Sequence, residues 1–288
     1  MFSEIRFLVA LVGSVVGGAY DLKTTEIPDI IPHAMIILAL FLAIVESLIQ
    51  HSYLPIFYSL VAGLPFLAFG FLLYYFGQWG GGDAKLLAAI VFLLPTKPNF
   101  LNFNFLLPFP LTYLLNVLYV GAGYMILYAL VLAFMEKKIL REFFKRVEAS
   151  ATFFSLVALA CFIAFFATNL YFTSVLDLEK DLFILLRNSV LPLVLFVSLI
   201  LLWKFVRVVE DVGFKKRIPV SKLKVGDVLL ESKRWDGITE AELRKIKKSG
   251  KKFVTIKTGV RFGPVFSLAL LFTFFYGDVT FFLTRYLI

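Results

Sequence analysis

Two aspartates stand against long apolar runs, where a carboxylate is costly. Asp21 ends the first run, in AYDLKTTEIPD, and Asp83 follows Gly80, Gly81 and Gly82 in residues 78–87, QWGGGDAKLL. Carboxylates at membrane depth are rare and usually functional, because the charged form is poorly solvated there. Two carboxyl groups held close together cannot both ionise, so they share a proton. One then acts as a base on water while its protonated partner polarises a carbonyl. This is aspartyl protease chemistry, and it needs no metal and no cofactor. Gly80 and Gly82 lack Cβ atoms and let an extended peptide backbone come close. A bulky side chain at either position should obstruct it. An Asp after glycines can also simply cap the next helix. That reading leads in a soluble domain; between membrane spans the functional one does.

The rest of the chain fits a membrane setting. Hydrophobic residues make up 60% of the 288, mean hydropathy is +0.88, and there are 34 Phe. These values predict an all-α polytopic membrane protein with about seven to eight transmembrane helices and a small mixed α/β cytoplasmic domain. The first run, 5–20, is not followed by a small-residue cleavage site and reads as a retained span. Further spans are expected over 30–49, 54–76, 106–135, 151–171 and 183–206, with an acidic loop at Asp177, Glu179 and Asp181. A last apolar run, 264–288, is interrupted by Gly277 and Asp278. The segment 136–148 is charged and amphipathic. The run 84–95 is a difficulty: twelve residues at ~1.5 Å each reach roughly 18 Å, short of a ~30 Å hydrocarbon core. Either its helix starts at the glycines, with Asp83 about a turn below the interface, or it is re-entrant. Both versions leave Asp21 and Asp83 on one face, because two complete spans separate them.

Residues 209–262 form the expected soluble module, between a transmembrane domain over 1–208 and a membrane segment over 263–288. The module holds 15 Lys and Arg against 7 acids. Residues 220–230 read as strand-like with a turn at Gly226-Asp227, and 253–258 as a strand. Thr239 and Glu242 form a capping box for a short helix that Gly250 ends. Some 54 residues bury little apolar surface, so the module should lean on the membrane domain. Its basic surface suits anionic lipid better than nucleic acid. If 84–95 spans, 24 of the 29 Lys and Arg lie on the face of the two aspartates, which the positive-inside rule makes cytoplasmic. If it is re-entrant, the aspartates lie opposite the basic module.

Several residues near the aspartates have bland readings too. Asp29, after Pro28, suits a cap for the second helix. Lys85 either pairs with Asp83 or snorkels to headgroups. Tyr20 and Trp79 either line a cleft or belong to an interfacial aromatic belt. Glu46 and Asp278 belong to the opposite face and read as interfacial, as do His33 and His51. The single cysteine, Cys161, excludes an internal disulfide and a Cys-based zinc site.

Two motifs together carry a family resemblance. Asp21, Lys23, Ile27 and Pro28 match an Asp followed by K-x-x-x-I-P, and Gly80–Asp83 with Ala84 and Lys85 match GxGD followed by Ala-Lys. The chain resembles archaeal prepilin and preflagellin (archaellin precursor) peptidases, GxGD-type membrane aspartyl proteases related to type IV prepilin peptidases. VGDVL at 225–229 and GVRFGP at 259–264 resemble the larger archaeal members. The resemblance implies an endopeptidase that removes a short basic leader from pilin-like or archaellin precursors at the cytoplasmic membrane face. It implies Asp21 and Asp83 as the catalytic pair, and Gly80, Gly81, Gly82, Lys85, Tyr20 and Trp79 as candidates for the substrate cleft. It favours a spanning 84–95. The four-cysteine zinc motif of bacterial relatives is absent, so no N-methyltransferase activity is expected. The rival readings are a proton-coupled transporter using intramembrane carboxylates and a presenilin or signal-peptide-peptidase-like protease. No convincing repeat supports the first, and the second lacks its Pro-Ala-Leu motif.

Overall fold

The computed structural model describes residues 2–103, 105–176, 181–232 and 237–281. Ten α-helices occur among them: α1 (Phe2–Thr24), α2 (Ile30–Ile49), α3 (Leu54–Tyr75), α4 (Gly81–Leu93), α5 (Phe109–Met135), α6 (Lys137–Glu148), α7 (Ala151–Val175), α8 (Leu182–Val208), α9 (Glu240–Lys248) and α10 (Gly263–Tyr276). Among the described residues, six helices are long and apolar enough to cross a membrane: α1, α2, α3, α5, α7 and α8. With the shorter apolar α4 and α10 they make the polytopic all-α architecture that composition predicts. Most of the expected acidic loop lies outside the described residues. Asp181 caps α8, its carboxylate accepting from the N–H of Phe183 at 2.7 Å.

The described chain forms two compact units, one running up to Tyr128 and resuming at Arg217, the other Ala129–Lys216. The core of the first is α4. It starts at the glycines, one of the two solutions to its short length. Every residue from Leu86 to Leu94 is buried, among side chains of α1, α2, α3 and α10. A helix apolar on all sides is a core helix. Sheathed in protein, it has no need to match the bilayer's thickness. Its C-terminal carbonyls are partly satisfied by Ser59 of α3, whose hydroxyl donates to Phe92 O at 2.7 Å.

The helices around it pack at backbone contact. A Cβ on Gly70 of α3 would lie 2.9 Å from Ala84 O, and one on Gly63 would strike the Phe92 ring. Lipid tails are as apolar as leucine, so such van der Waals contact rather than water exclusion drives helix association. At the other end of α1, Arg6 and Glu46 make a buried ion pair at 2.7 Å, so Glu46 has a structural partner in α1.

The short α10 packs on α1 and is tied to α5. Tyr113 donates to Phe266 O at 2.9 Å, and the Asn116 amide donates to Gly277 O at 2.8 Å. Gly277, at φ 75°, ends the helix in a conformation open mainly to glycine. Asp278 is buried and accepts from Thr280 N at 2.8 Å, the role of a cap.

In the second unit α7 packs on α8, and amphipathic α6 places Ile139 and Phe143 against Phe205, Val208 and Val209. The carboxylate of Asp211 bridges Arg146 at 2.9 Å and Lys215 at 2.7 Å.

The soluble module is a three-stranded sheet in the order β1 (Lys215–Pro219), β3 (Phe253–Lys257), β2 (Val228–Leu229), with β2 antiparallel to β3. The strand expected over 220–230 shrinks to the two residues of β2. Residues 220–222 are instead a 3₁₀ turn, and the missing strand is supplied by the basic KKRIP of β1. Thr239 and Glu242 do form the capping box, and Gly250 follows α9 at φ 72°. Three buried side chains, Leu223, Ile238 and Ile256, make a small core. The module past Arg217 belongs to the same unit as α1–α4, with Gly226 beside Glu26.

Backbone contact at Gly70 leaves no room for a side chain, whereas a Cβ on Gly123 meets nothing within 4 Å. Gly70→Val should therefore destabilise the protein by about 1–3 kcal/mol, as overpacking does. Gly123→Ala should leave stability unchanged or slightly raised. Thermal unfolding of the purified variants in detergent checks both.

Candidate active site

Asp21 lies one turn inside α1, not at its end. The helix continues to Thr24 because Thr25 N still donates to Asp21 O, at 2.8 Å. It stops where Thr25 adopts φ 63°, an unfavourable conformation for a β-branched residue, with the Thr24 hydroxyl bonded to Tyr20 O and Glu26 O. The turn beyond carries Ile27 back against α4. Asp21 shares the buried face of α1 with Ser14, Gly17 and Gly18. Tyr20, on another face, is half-exposed.

Asp83 is the third residue of α4. Its Oδ2 accepts from Gly80 N at 3.2 Å, so the capping role open to it is filled. The Asp21 charge bears on it electrostatically. α1 and α4 meet here through small residues. A Cβ on Gly82 would lie 2.8 Å from Ile27 Cβ, and one on Gly17 would touch Leu86. The space beside Gly82 is thus filled by the Ile27 turn, so this glycine permits a close approach within the chain itself. Gly80 is extended, at φ −72° and ψ 154°, and a Cβ there would crowd the Asp83 carboxylate at 3.1 Å. Gly81 faces Tyr74 at ordinary contact distance.

Lys85 does not pair with Asp83. Its Nζ reaches Asp29 Oδ1 at 2.7 Å, and Asp29 makes no side-chain cap to α2. One contact therefore replaces both expectations: Lys85 lies two residues beyond Asp83 on α4, a spacing that points the two side chains to different faces, and it meets the 27–29 segment that follows Asp21.

A third strand of chain enters the site from far along the sequence. Gly263 N, at the start of α10, donates to Asp21 Oδ2 at 2.7 Å. A Cβ on Gly263 would lie 2.8 Å from Asp21 Cβ, and one on Gly18 would lie 3.0 Å from Pro264 N. The positive charge of Arg261 bears on Asp21, and its backbone carbonyl accepts from the Tyr124 hydroxyl at 2.9 Å. Trp79 packs on Phe262 and edge-on to Phe266, with ring centroids 5.9 and 5.8 Å apart, so the 78–82 loop is fastened to the start of α10. Sequence reasoning marks Asp21, Asp83, the glycines and Trp79, but misses Gly263, Arg261, Phe262 and Tyr124. The available signal was GVRFGP itself, a Gly-Pro pair just before an apolar run.

Fold and site together define a multi-pass membrane protein with two carboxylates brought together by packed helices. The chain belongs to the type IV leader peptidase family, whose profile matches residues 8–201, a stretch that includes both aspartates. It is similar to the preflagellin peptidase of Methanocaldococcus jannaschii, 33% identical over 115 residues, which is 40% of this chain and 46% of that protein. It is also similar to prepilin peptidase EppA of Methanothermobacter thermautotrophicus, 25% identical over 149 residues, 49% of this chain and 39% of that protein. The match thus spans less than half the length of either relative.

The Lys85–Asp29 pair is half open to solvent, with side-chain exposures of 19% and 62%. Lys85→Met and Asp29→Asn should each cost less than about 1 kcal/mol of stability, and the double variant no more than the larger single loss. A double-mutant cycle on detergent-solubilised protein measures this. An equal penalty from pairing Lys85→Met with Asp83→Asn in place of Asp29→Asn would contradict the assignment.

Proposed function

We propose that this protein is a membrane aspartyl endopeptidase that removes the short basic leader from pilin-like or archaellin precursors. The observation that supports the proposal is that Asp21 and Asp83, both inside the stretch the family profile matches, lie near enough for the charge of one to bear on the other. The names of the two archaeal relatives support this class of substrate.

In this reading Asp21 and Asp83 share one proton across the pair. The ionised carboxyl takes a proton from water as the water attacks the scissile carbonyl, and the protonated one polarises that carbonyl. The leader arrives from the cytoplasm, so the site faces that side. This matches the positive-inside assignment obtained when α4 is counted as a span. The basic module then lies on the same side, against anionic lipid. A basic leader is repelled by it, so leader recognition belongs to the aspartate cleft. The substrate-side candidates are Gly80, Gly81, Gly82, Lys85, Trp79 and Tyr20, of which Tyr20 has the most open surface.

Purified protein in detergent should cleave a leader-bearing pilin or archaellin precursor. Asp21→Asn and Asp83→Asn keep the side-chain volume and remove the titratable group, and each should lower cleavage by at least about 10³-fold with folding intact. Substantial cleavage by either variant would sink the dyad.

A further inference from the structure

The family match ends at residue 201, yet the hydrogen bond that holds Asp21 comes from Gly263. We propose that residues 261–263 position Asp21 and keep it the ionised member of the pair, so that it takes the proton from water while Asp83 gives one to the substrate. The inference rests on the peptidase reading above.

Three observations point the same way. First, the two backbone donors are unequal. Gly263 N lies 2.7 Å from Asp21 Oδ2, the length of a charge-assisted bond, whereas Gly80 N lies 3.2 Å from Asp83 Oδ2. Second, Arg261 supplies a positive charge near Asp21, two residues before that donor. Third, the approach is enforced by shape. Gly263 meets Asp21 and Pro264 meets Gly18 at distances that exclude a side chain, so α10 cannot sit further off without losing its packing on α1. The charged and titratable groups around Asp21 are Asp83 from α4, Arg261 ahead of α10 and Tyr124 from α5. Among the described residues named here, Arg261 is the cation.

The step balances. Water loses a proton to Asp21 as its oxygen bonds to the scissile carbon, and Asp83 gives its proton to the carbonyl oxygen. The tetrahedral intermediate then returns a hydroxyl proton to Asp83, reforming the carbonyl. The C–N bond breaks, and the leaving nitrogen takes the proton held by Asp21. Both carboxyls end as they began.

Arg261 is a positioning residue in this scheme, and its signature is a pH profile. The full chain in detergent is assayed on a leader-bearing precursor from acid to alkaline pH. Arg261→Gln should lower kcat about tenfold on the acid side and move the acid limb up by about one pH unit. The gap should close at higher pH, with KM within about twofold of wild type. Arg261→Lys should restore most of the loss. Arg261→Met, which keeps the stem, carries the same test if the Gln variant does not purify as folded protein. A profile parallel to wild type, or an equal loss at every pH that Arg261→Lys does not relieve, overturns the inference. Wild type that cleaves at no pH would overturn the peptidase reading and the inference with it. Cleavage by wild type, loss in Asp21→Asn and an unchanged Arg261→Gln profile would overturn the inference alone.

Discussion

The site depends on two helices that are too short for the bilayer. α4 has 13 residues and α10 has 14, about 20 Å each against a hydrocarbon core of ~30 Å. Neither could stand alone in lipid with its end groups exposed. α4 is enclosed by longer neighbours and α10 is packed against them on one face, and the two N-termini are joined by Trp79 on Phe262 and Phe266. A helix N-terminus presents unpaired N–H groups and a partial positive charge. Two such ends give a membrane protein what carboxylates set against apolar helices require: donors already in place. Asp83 uses the end of α4, and Asp21, reaching from α1, uses the end of α10.

That arrangement requires backbones to touch. Gly82 against Ile27, Gly18 against Pro264 and Gly263 against Asp21 are all approaches that one added carbon would block. The glycines flanking the aspartates thus have a packing role in the resting protein, whatever they contribute to a bound peptide. Gly80 differs from Gly82 here: it is extended and touches only the Asp83 carboxylate.

Much of this was legible in the chain. The apolar runs and their lengths gave the long helices, and a carboxylate set among hydrocarbon has few bland explanations, so Asp21 and Asp83 stood out. The shortness of 84–95 left two readings, a helix begun at the glycines or a re-entrant segment, and the helix does begin at Gly81. What stayed hidden depends on tertiary contact. Gly263 lies 242 residues from Asp21, and nothing local in GVRFGP says which carboxylate its N–H will meet. Lys85 had Asp83 within one helical turn, yet the fold brings Asp29 to it across 56 residues. The pairing of Glu46 with Arg6 was not legible either, because the two sit on different helices. The strand at KKRIP escaped notice because three charges in five residues mask the alternation, and its apolar contribution to the small core is Ile218 alone.

The division of labour along the chain follows from the same geometry. The family match covers α1 to most of α8, and therefore the two aspartates, but not the element that braces one of them. The module after Arg217 and α10 belong to one compact unit with α1–α4, while Ala129–Lys216 forms another. The chain thus leaves the aspartate-bearing unit within α5 and returns to it through the basic module, whose Gly226 turn lies beside Glu26, just past Asp21. The start of α10, 242 residues further along, thus completes the surroundings of a residue in the first helix.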